Sequence, residues 1–318
     1  MTGLRRAAAS ILLAGLYGCG GGGTPQGPDP APEAPASPTA GTPSPVLMGC
    51  PVFPADNAWN RDVSGEPVDP LSETYITSIG AGRFLHPDFG SNPEYGIPWT
   101  SVPSTQPLVP MTFEYADESD PGPYPFPHDA PVEAGGDRHV LVLDRGACRL
   151  YETFDSRYMG PGWRCGSGAR LDLRSNTLRP DGWTSADAAG LPILPGLVRR
   201  DEVLGGEIRH ALRFTVRRTQ RAYVNPATHY ASSSTDTSLP PMGLRVRLKA
   251  SYDIARFSGT ARVILVALKR YGMFVADNGS DWFISGEANP AWNDDEIEPL
   301  KTVPGSAFEV VRVGEIRR

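Results

Sequence analysis

Three carboxylates crowd into four positions at Asp117, Glu118 and Asp120, and the chain then stiffens through Pro121-Gly122-Pro123-Tyr124. Hard oxygens clustered at a strand end suit a calcium ion, or one half of an acid/base pair. The spacing is not that of a helix–loop–helix calcium site, and a solvated, proline-stiffened turn accounts for the same residues. A second concentration lies in residues 175–203, which hold Arg179, Asp181, Trp183, Asp187 and the apolar Leu191, Ile193, Leu194 and Leu197 with no regular period. Long aperiodic segments inside compact domains are either functional loops or disorder. The apolar residues argue for docking onto the body, which makes Trp183 and Asp187 cleft residues. A packed crossover with a capping aspartate reads the same string equally well.

Histidine is the third source of chemistry. His139 opens an apolar run, His210 falls on the apolar side of an alternating segment, and His229 follows Tyr223-Val-Asn-Pro226. A histidine on an apolar face is commonly a hydrogen-bonded core residue. No spacing among the three supports a metal centre, so neither a resident metal nor a cofactor is expected, apart from the calcium option at Asp117, Glu118 and Asp120. Glu118, Asp120, Asp187 and His210 are the catalytic candidates. His139, Trp183, Arg245 and Tyr124 are the candidates for holding a substrate. Trp99, Trp163, Trp282 and Trp292 join Trp183 as stacking platforms or, equally, as core.

The elements that must position these residues are mostly strands. Residues 109–115, 208–216, 244–252 and 308–313 read as strands, with alternation in 208–216 and 244–252. In 208–216, Ile208, Leu212, Phe214 and Val216 share one side, and Arg209 and Arg213 the other, with Arg217 continuing that side. In 244–252 the polar side is Arg245, Arg247 and Lys249. Residues 138–154 read as a hairpin turning at Gly146, and 273–276 with 282–285 as paired strands around Asp277-Asn278-Gly279. Asp69-Pro70 opens a helix over 71–79 that Gly80 stops. Residues 260–271 form the best helix, closed by Gly272, and 293–300 a short acidic-started one. Strands with one polar face suit antiparallel sheets. The expected fold is mainly β, sandwich-like or jelly-roll-like, with a few helices: an α+β single domain.

The N-terminus carries an address. Arg5 and Arg6 precede an apolar run over 7–16 and then Leu16-Tyr17-Gly18-Cys19. A positive region, a short apolar region and a small residue before the cut make an export signal. The run is far shorter than the ~20 apolar residues a membrane span needs. A cysteine at that point looks like a bacterial lipobox, with Cys19 lipidated. Residues 1–18 are thus a signal peptide, 19–49 a lipidated Pro/Gly-rich linker, and 50–318 the globular part. Such a linker offers too little apolar surface to fold. Gly20 rather than Asp after the cysteine suits sorting to an outer membrane.

Composition narrows the rest. A formal charge of −6 leaves no basic nucleic-acid footprint. Cys50, Cys148 and Cys165 remain after the label, in an export context that permits one internal disulfide. Cys50–Cys148 is favoured, because it would staple the start of the fold to its core; Cys148–Cys165 competes. No GxSxG elbow, SxxK, HExxH or P-loop occurs, which removes the commonest serine hydrolases, zinc proteases and nucleotide enzymes.

Ala55-Asp-Asn-Ala-Trp59-Asn, His86-Pro-Asp-Phe-Gly90, Tyr95-Gly-Ile-Pro98, Asp117-Glu-Ser-Asp-Pro-Gly122, Trp183-Thr-Ser-Ala-Asp187-Ala-Ala-Gly-Leu-Pro192, Pro241-Met-Gly-Leu-Arg245 and Tyr271-Gly-Met-Phe-Val-Ala-Asp277-Asn-Gly-Ser280 are the chain's most distinctive strings. Together they resemble a family of secreted bacterial proteins of unassigned activity, some found beside carbohydrate-binding modules. The resemblance spans residues 50–313, implies polysaccharide chemistry outside the cytoplasm, and brings no catalytic residues. The expectation is a monomeric, lipid-anchored envelope protein that acts on extracellular or cell-wall polysaccharide, as a two-carboxylate glycoside hydrolase. The alternative is a non-catalytic glycan- or cell-wall-binding lipoprotein.

Overall fold

The computed structural model describes residues 43–318, which belong to one compact unit; the expected signal peptide, Cys19 and the linker up to residue 42 lie outside the described residues. In chain order the strands are β1 (Val46–Leu47), β2 (Cys50–Pro51), β3 (His86–Asp88), β4 (Trp99–Val102), β5 (Met111–Phe113), β6 (Val140–Asp144), β7 (Arg149–Phe154) and β8 (Arg157–Tyr158). They continue as β9 (Trp163–Cys165), β10 (Ser167–Asp172), β11 (Leu212–Val216), β12 (Arg245–Leu248), β13 (Met273–Asn278), β14 (Phe283–Ser285) and β15 (Phe308–Val310). The helices are α1 (Ser72–Ile79), α2 (Arg200–Leu204), α3 (Gly259–Arg270) and α4 (Asp294–Ile297). The fold is β-rich α+β, as its alternating segments led one to expect. Because β1 pairs with β2 and Leu47 is buried, the folded part starts ahead of Cys50.

Two sheets carry the body. One has the order β10-β7-β6-β4, the other β15-β12-β13-β11-β14-β3. A small sheet, β5-β9-β8, covers the first. The string Val140-Leu-Val-Leu is apolar at every position because β6 is buried on both faces. Leu141 and Leu143 join the main core, while Val140 and Val142 join a second core with Tyr124, Phe126, Tyr151 and Trp163. On the six-stranded sheet, Leu212, Phe214, Val246 and Leu248 meet Ile264, Leu265 and Leu268 of α3 in the main core.

Local signals work where they are local. Gly80 closes α1 at φ 112°, a left-handed position that glycine takes without strain, whereas the expected Asp69 cap falls short: its carboxylate accepts from the Leu71 N–H at 2.8 Å in a turn ahead of the helix, and Leu71 itself holds the N-cap position without a side-chain cap. The sheets are mixed, however, rather than antiparallel. β11 lies parallel to β13, β14 to β3, β4 to β6 and β5 to β9. The expected hairpin of 273–276 with 282–285 does not form. β11 sits between β13 and β14, pairing with both. Asp277-Asn278-Gly279 turns the chain, but a strand from sixty residues upstream takes the hydrogen bonds.

Cys50 and Cys148 are bonded, closing a separation of 98 residues, and Cys165 is free and buried. In the chain-entropy picture such a loop adds about 4–5 kcal/mol to stability. Urea melts under reducing conditions, or of Cys148→Ser, should therefore show a clearly lower midpoint than the oxidised protein. Coincident curves would rule out this role for the bridge.

Candidate functional site

The side of β11 opposite the apolar core carries Arg213, and that side is not open to water. Arg213 is 4 % exposed. Its Nε and Nη2 reach the two carboxylate oxygens of Asp187 at 3.0 and 2.9 Å, and Nη1 donates to Ser285 Oγ. Burial alone would pull the guanidinium pKa down. The Asp187 carboxylate more than offsets this and holds it above its ordinary value.

The same segment is stitched to the four-stranded sheet. His139 Nε2 donates to the Ala186 carbonyl at 3.0 Å while Nδ1 bonds Glu133. A carbonyl only accepts, so Nε2 carries a proton, and the Glu133 carboxylate at Nδ1 favours a second one. Burial works against that charge, and Glu133 outweighs it, raising the His139 pKa. Further on, the Ile193 and Leu194 N–H groups donate to Glu152 at 2.9 and 2.8 Å. Burial nevertheless pushes Glu152 up to about 7. Asp277, partly buried at the end of β13, is pushed up to about 7 by burial and by the nearby Asp187 charge.

Held between two sheets, this loop meets the turn containing the three carboxylates. Arg179, 8 % exposed, forms an ion pair with Asp120 and donates to the Glu118 and Thr184 carbonyls at 2.8 and 2.7 Å. The Thr184 N–H donates to Glu118 Oε2 at 3.2 Å. The Arg179 guanidinium lies 5.5 Å from the Trp183 ring, and His229 Nε2 is 3.8 Å from Glu118 Oε2. The two irregular segments thus share one face, with Trp183, His229 and Tyr230 half-buried on it.

Beside that face runs a groove made of three adjoining cavities. The first, about 320 Å³, is walled by Asp120, Arg170, Asp172 and Arg179. The second, about 330 Å³, lies across residues 175–179 and is lined by Asp56, Asn57, Asn176, Leu191 and Pro226 among others. It shares Arg61, Asn225 and Pro226 with a third of about 370 Å³ that extends to Glu66 and Arg312. Amides, carboxylates and guanidinium groups line these cavities together with apolar residues such as Leu191 and Pro226.

Several expected site residues are elsewhere. Tyr124 is fully buried in the second core, donating to the Asp120 carbonyl, and cannot touch a substrate. His210 has no exposed surface; its Nδ1 donates to the Ala211 carbonyl and Nε2 lies 3.0 Å from both Glu202 and Arg199. His139 and Asp187 are committed to the buried network. Arg245 donates to the carbonyls of Ala58, Arg61 and Tyr271, and burial lowers its pKa to about 9. The calcium option fails on geometry: Asp120 faces Arg179 and Glu118 faces Thr184, and among the described residues no three acidic, histidine or cysteine side chains are grouped to hold a metal. Trp163, Trp282 and Trp292 are core, and Trp99 bonds Glu287, so no flat tryptophan strip forms. Asp120, Glu118 and Trp183 are the sequence candidates that the structure brings together. Asp56 and Asn57 lie in a distinctive string that gives them no role, and Asn176 and Asn225 are missed because isolated loop amides carry no spacing signal.

No family model, curated protein or solved structure matches this chain.

Asp187→Asn should cost about 3–5 kcal/mol, the usual penalty for breaking one side of a buried ion pair. Denaturant melts within 1 kcal/mol of wild type would show that Asp187 is not structural. The pH dependence follows from Glu152 and Asp277. The folded protein keeps their protons to about pH 7, whereas the unfolded chain releases them near 4 to 4.5. The folded state therefore binds more protons in that window, and stability falls as pH rises through it. The raised His139 acts in the same direction. Thermal melts should be higher at pH 5 than at pH 8, with a shallower difference for Asp277→Asn; a higher melt at pH 8 contradicts the assignment.

Proposed function

We propose that this is an envelope-tethered protein that binds an extended polysaccharide along the groove. One observation carries the reading: three cavities adjoin across shared lining residues, the middle one bordering each of the others, which gives a polymer successive places to bind rather than one pocket. Its lining suits sugars. Side-chain amides and carboxylates offer fixed donors and acceptors, and Leu191 and Pro226 offer apolar patches for sugar C–H faces. The tether is the lipobox cysteine, Cys19, followed by the Pro-rich linker. Binding is favoured over two-carboxylate hydrolysis because Asp187, the obvious second carboxylate, has no exposed surface, and Asp120 is tied to Arg179. A glycosidase needs two carboxyl groups facing one bond at no more than about 10 Å.

Affinity gels loaded with soluble polysaccharides test the reading. At least one polymer should retard the protein. Thr177→Trp, which puts bulk at the border of two cavities, should weaken retardation about tenfold or more, equivalent to ~1.4 kcal/mol. Its melting temperature should stay near wild type. Cys19→Ser should leave retardation intact and release the protein from the membrane fraction. Unretarded migration in every polymer ends the proposal, and a soluble wild-type protein ends the tether.

A further inference from the structure

We propose that Glu118, His229 and Tyr230, on the face beside the groove, form an acid–base site that cleaves a uronic-acid-containing polysaccharide by β-elimination. The inference rests on the groove being a polysaccharide site and adds to it a substrate class and a reaction. The set lines none of the three cavities but borders them: residues 225–230 lead from the groove wall at Asn225 and Pro226 to His229, and Arg179 of the groove donates to the Glu118 carbonyl.

The geometry of each group fits one role. His229 Nδ1 lies 2.8 Å from the Ala188 carbonyl oxygen. That oxygen only accepts, so the ring proton resides on Nδ1, and Nε2 of the neutral ring keeps its lone pair. Nε2 is 3.8 Å from Glu118 Oε2, beyond hydrogen-bond length, with the two side chains 24 % and 34 % exposed. Nε2 is therefore an oriented and reachable base, with a carboxylate placed to stabilise the imidazolium it becomes. Glu118 is itself fixed by the Thr184 N–H. The Tyr230 ring lies parallel to His229, with centroids 5.6 Å apart and planes 5° apart. Its hydroxyl accepts from Arg221 Nε at 3.2 Å, which leaves the phenolic proton free to be donated. Arg221 is exposed and lies over the Tyr230 ring, 5.5 Å from its centroid.

This set does not suit hydrolysis, which wants a second carboxyl group. It does suit elimination, which wants a base, an acid and a cation. Arg221 would pair with the uronate carboxylate and so acidify the C5 proton. His229 Nε2 takes that proton. The electron pair left behind forms the C4=C5 double bond as the C4–O bond breaks. The departing oxygen takes the proton of the Tyr230 hydroxyl. Proton return from the His229 imidazolium to the Tyr230 phenolate restores both groups, so no water or redox partner is consumed.

Full-length protein incubated with alginate or polygalacturonate should produce the ultraviolet absorbance of a conjugated C4=C5 product, and with dextran none. Tyr230→Phe and His229→Ala should slow this at least about 100-fold, the lower end of what a positioned acid or base contributes. Tyr230→Phe keeps the ring stack, so its melting temperature should match wild type. No absorbance with either polyuronate, or a wild-type rate in His229→Ala, overturns the inference. Retardation by polyuronate without product sinks the elimination alone; neither retardation nor product with any polymer sinks the groove reading with it.

Discussion

Asp187 and Arg213 form a buried ion pair, and the packing of the loop between the two sheets follows from it. Arg213 is placed by β11, whose other side must face the apolar core, so its guanidinium has no choice of direction. Once covered, an unpaired guanidinium would cost several kcal/mol. The segment around Asp187 meets that demand with a two-oxygen contact, and in doing so it is drawn down onto the sheet. Its backbone then bonds β13 through the Ala189 N–H and the Ala276 carbonyl, and β6 through His139. A stretch with no periodicity of its own becomes a rigid wedge between two sheets.

That wedge separates two kinds of polar residue. Those facing inward, Asp187, His139 and Glu152, have every polar atom occupied by a partner, and their chemistry is spent on position. Those just beyond the wedge, Glu118, Trp183, His229 and Tyr230, keep exposed atoms. Arg179 stands at the border, buried, paired with Asp120 and stacked near Trp183. A loop backed by packed sheets can hold reactive groups at fixed distances, which a solvated loop of the same composition could not.

Features that depend on neighbours a few residues away are legible in the amino-acid order. Asp69 turns the chain into α1 and Gly80 closes it, Gly272 follows α3, and Gly146 lies in the β6–β7 turn, because such turns are satisfied within one or two turns of chain. Alternation fixed which side of β11 and β12 is apolar, since successive side chains point to opposite faces. The pairing of Cys50 with Cys148 was also anticipated, from the position of one at the start of the fold and the other at a hairpin turn. What covers each face is set by long-range packing. Alternation separates Arg213 and Arg245 from the apolar side, but it cannot say that loops from elsewhere bury them. Nor can turn residues at Asp277-Asn278-Gly279 say that β11 intervenes between β13 and β14, because hydrogen-bonding capacity is identical on every strand edge. Tyr124 and Glu118 stand six residues apart in one polar string, yet one is core and the other is surface. The difference lies in whether a second sheet happens to pack there, a contact between residues remote in sequence that no local pattern encodes.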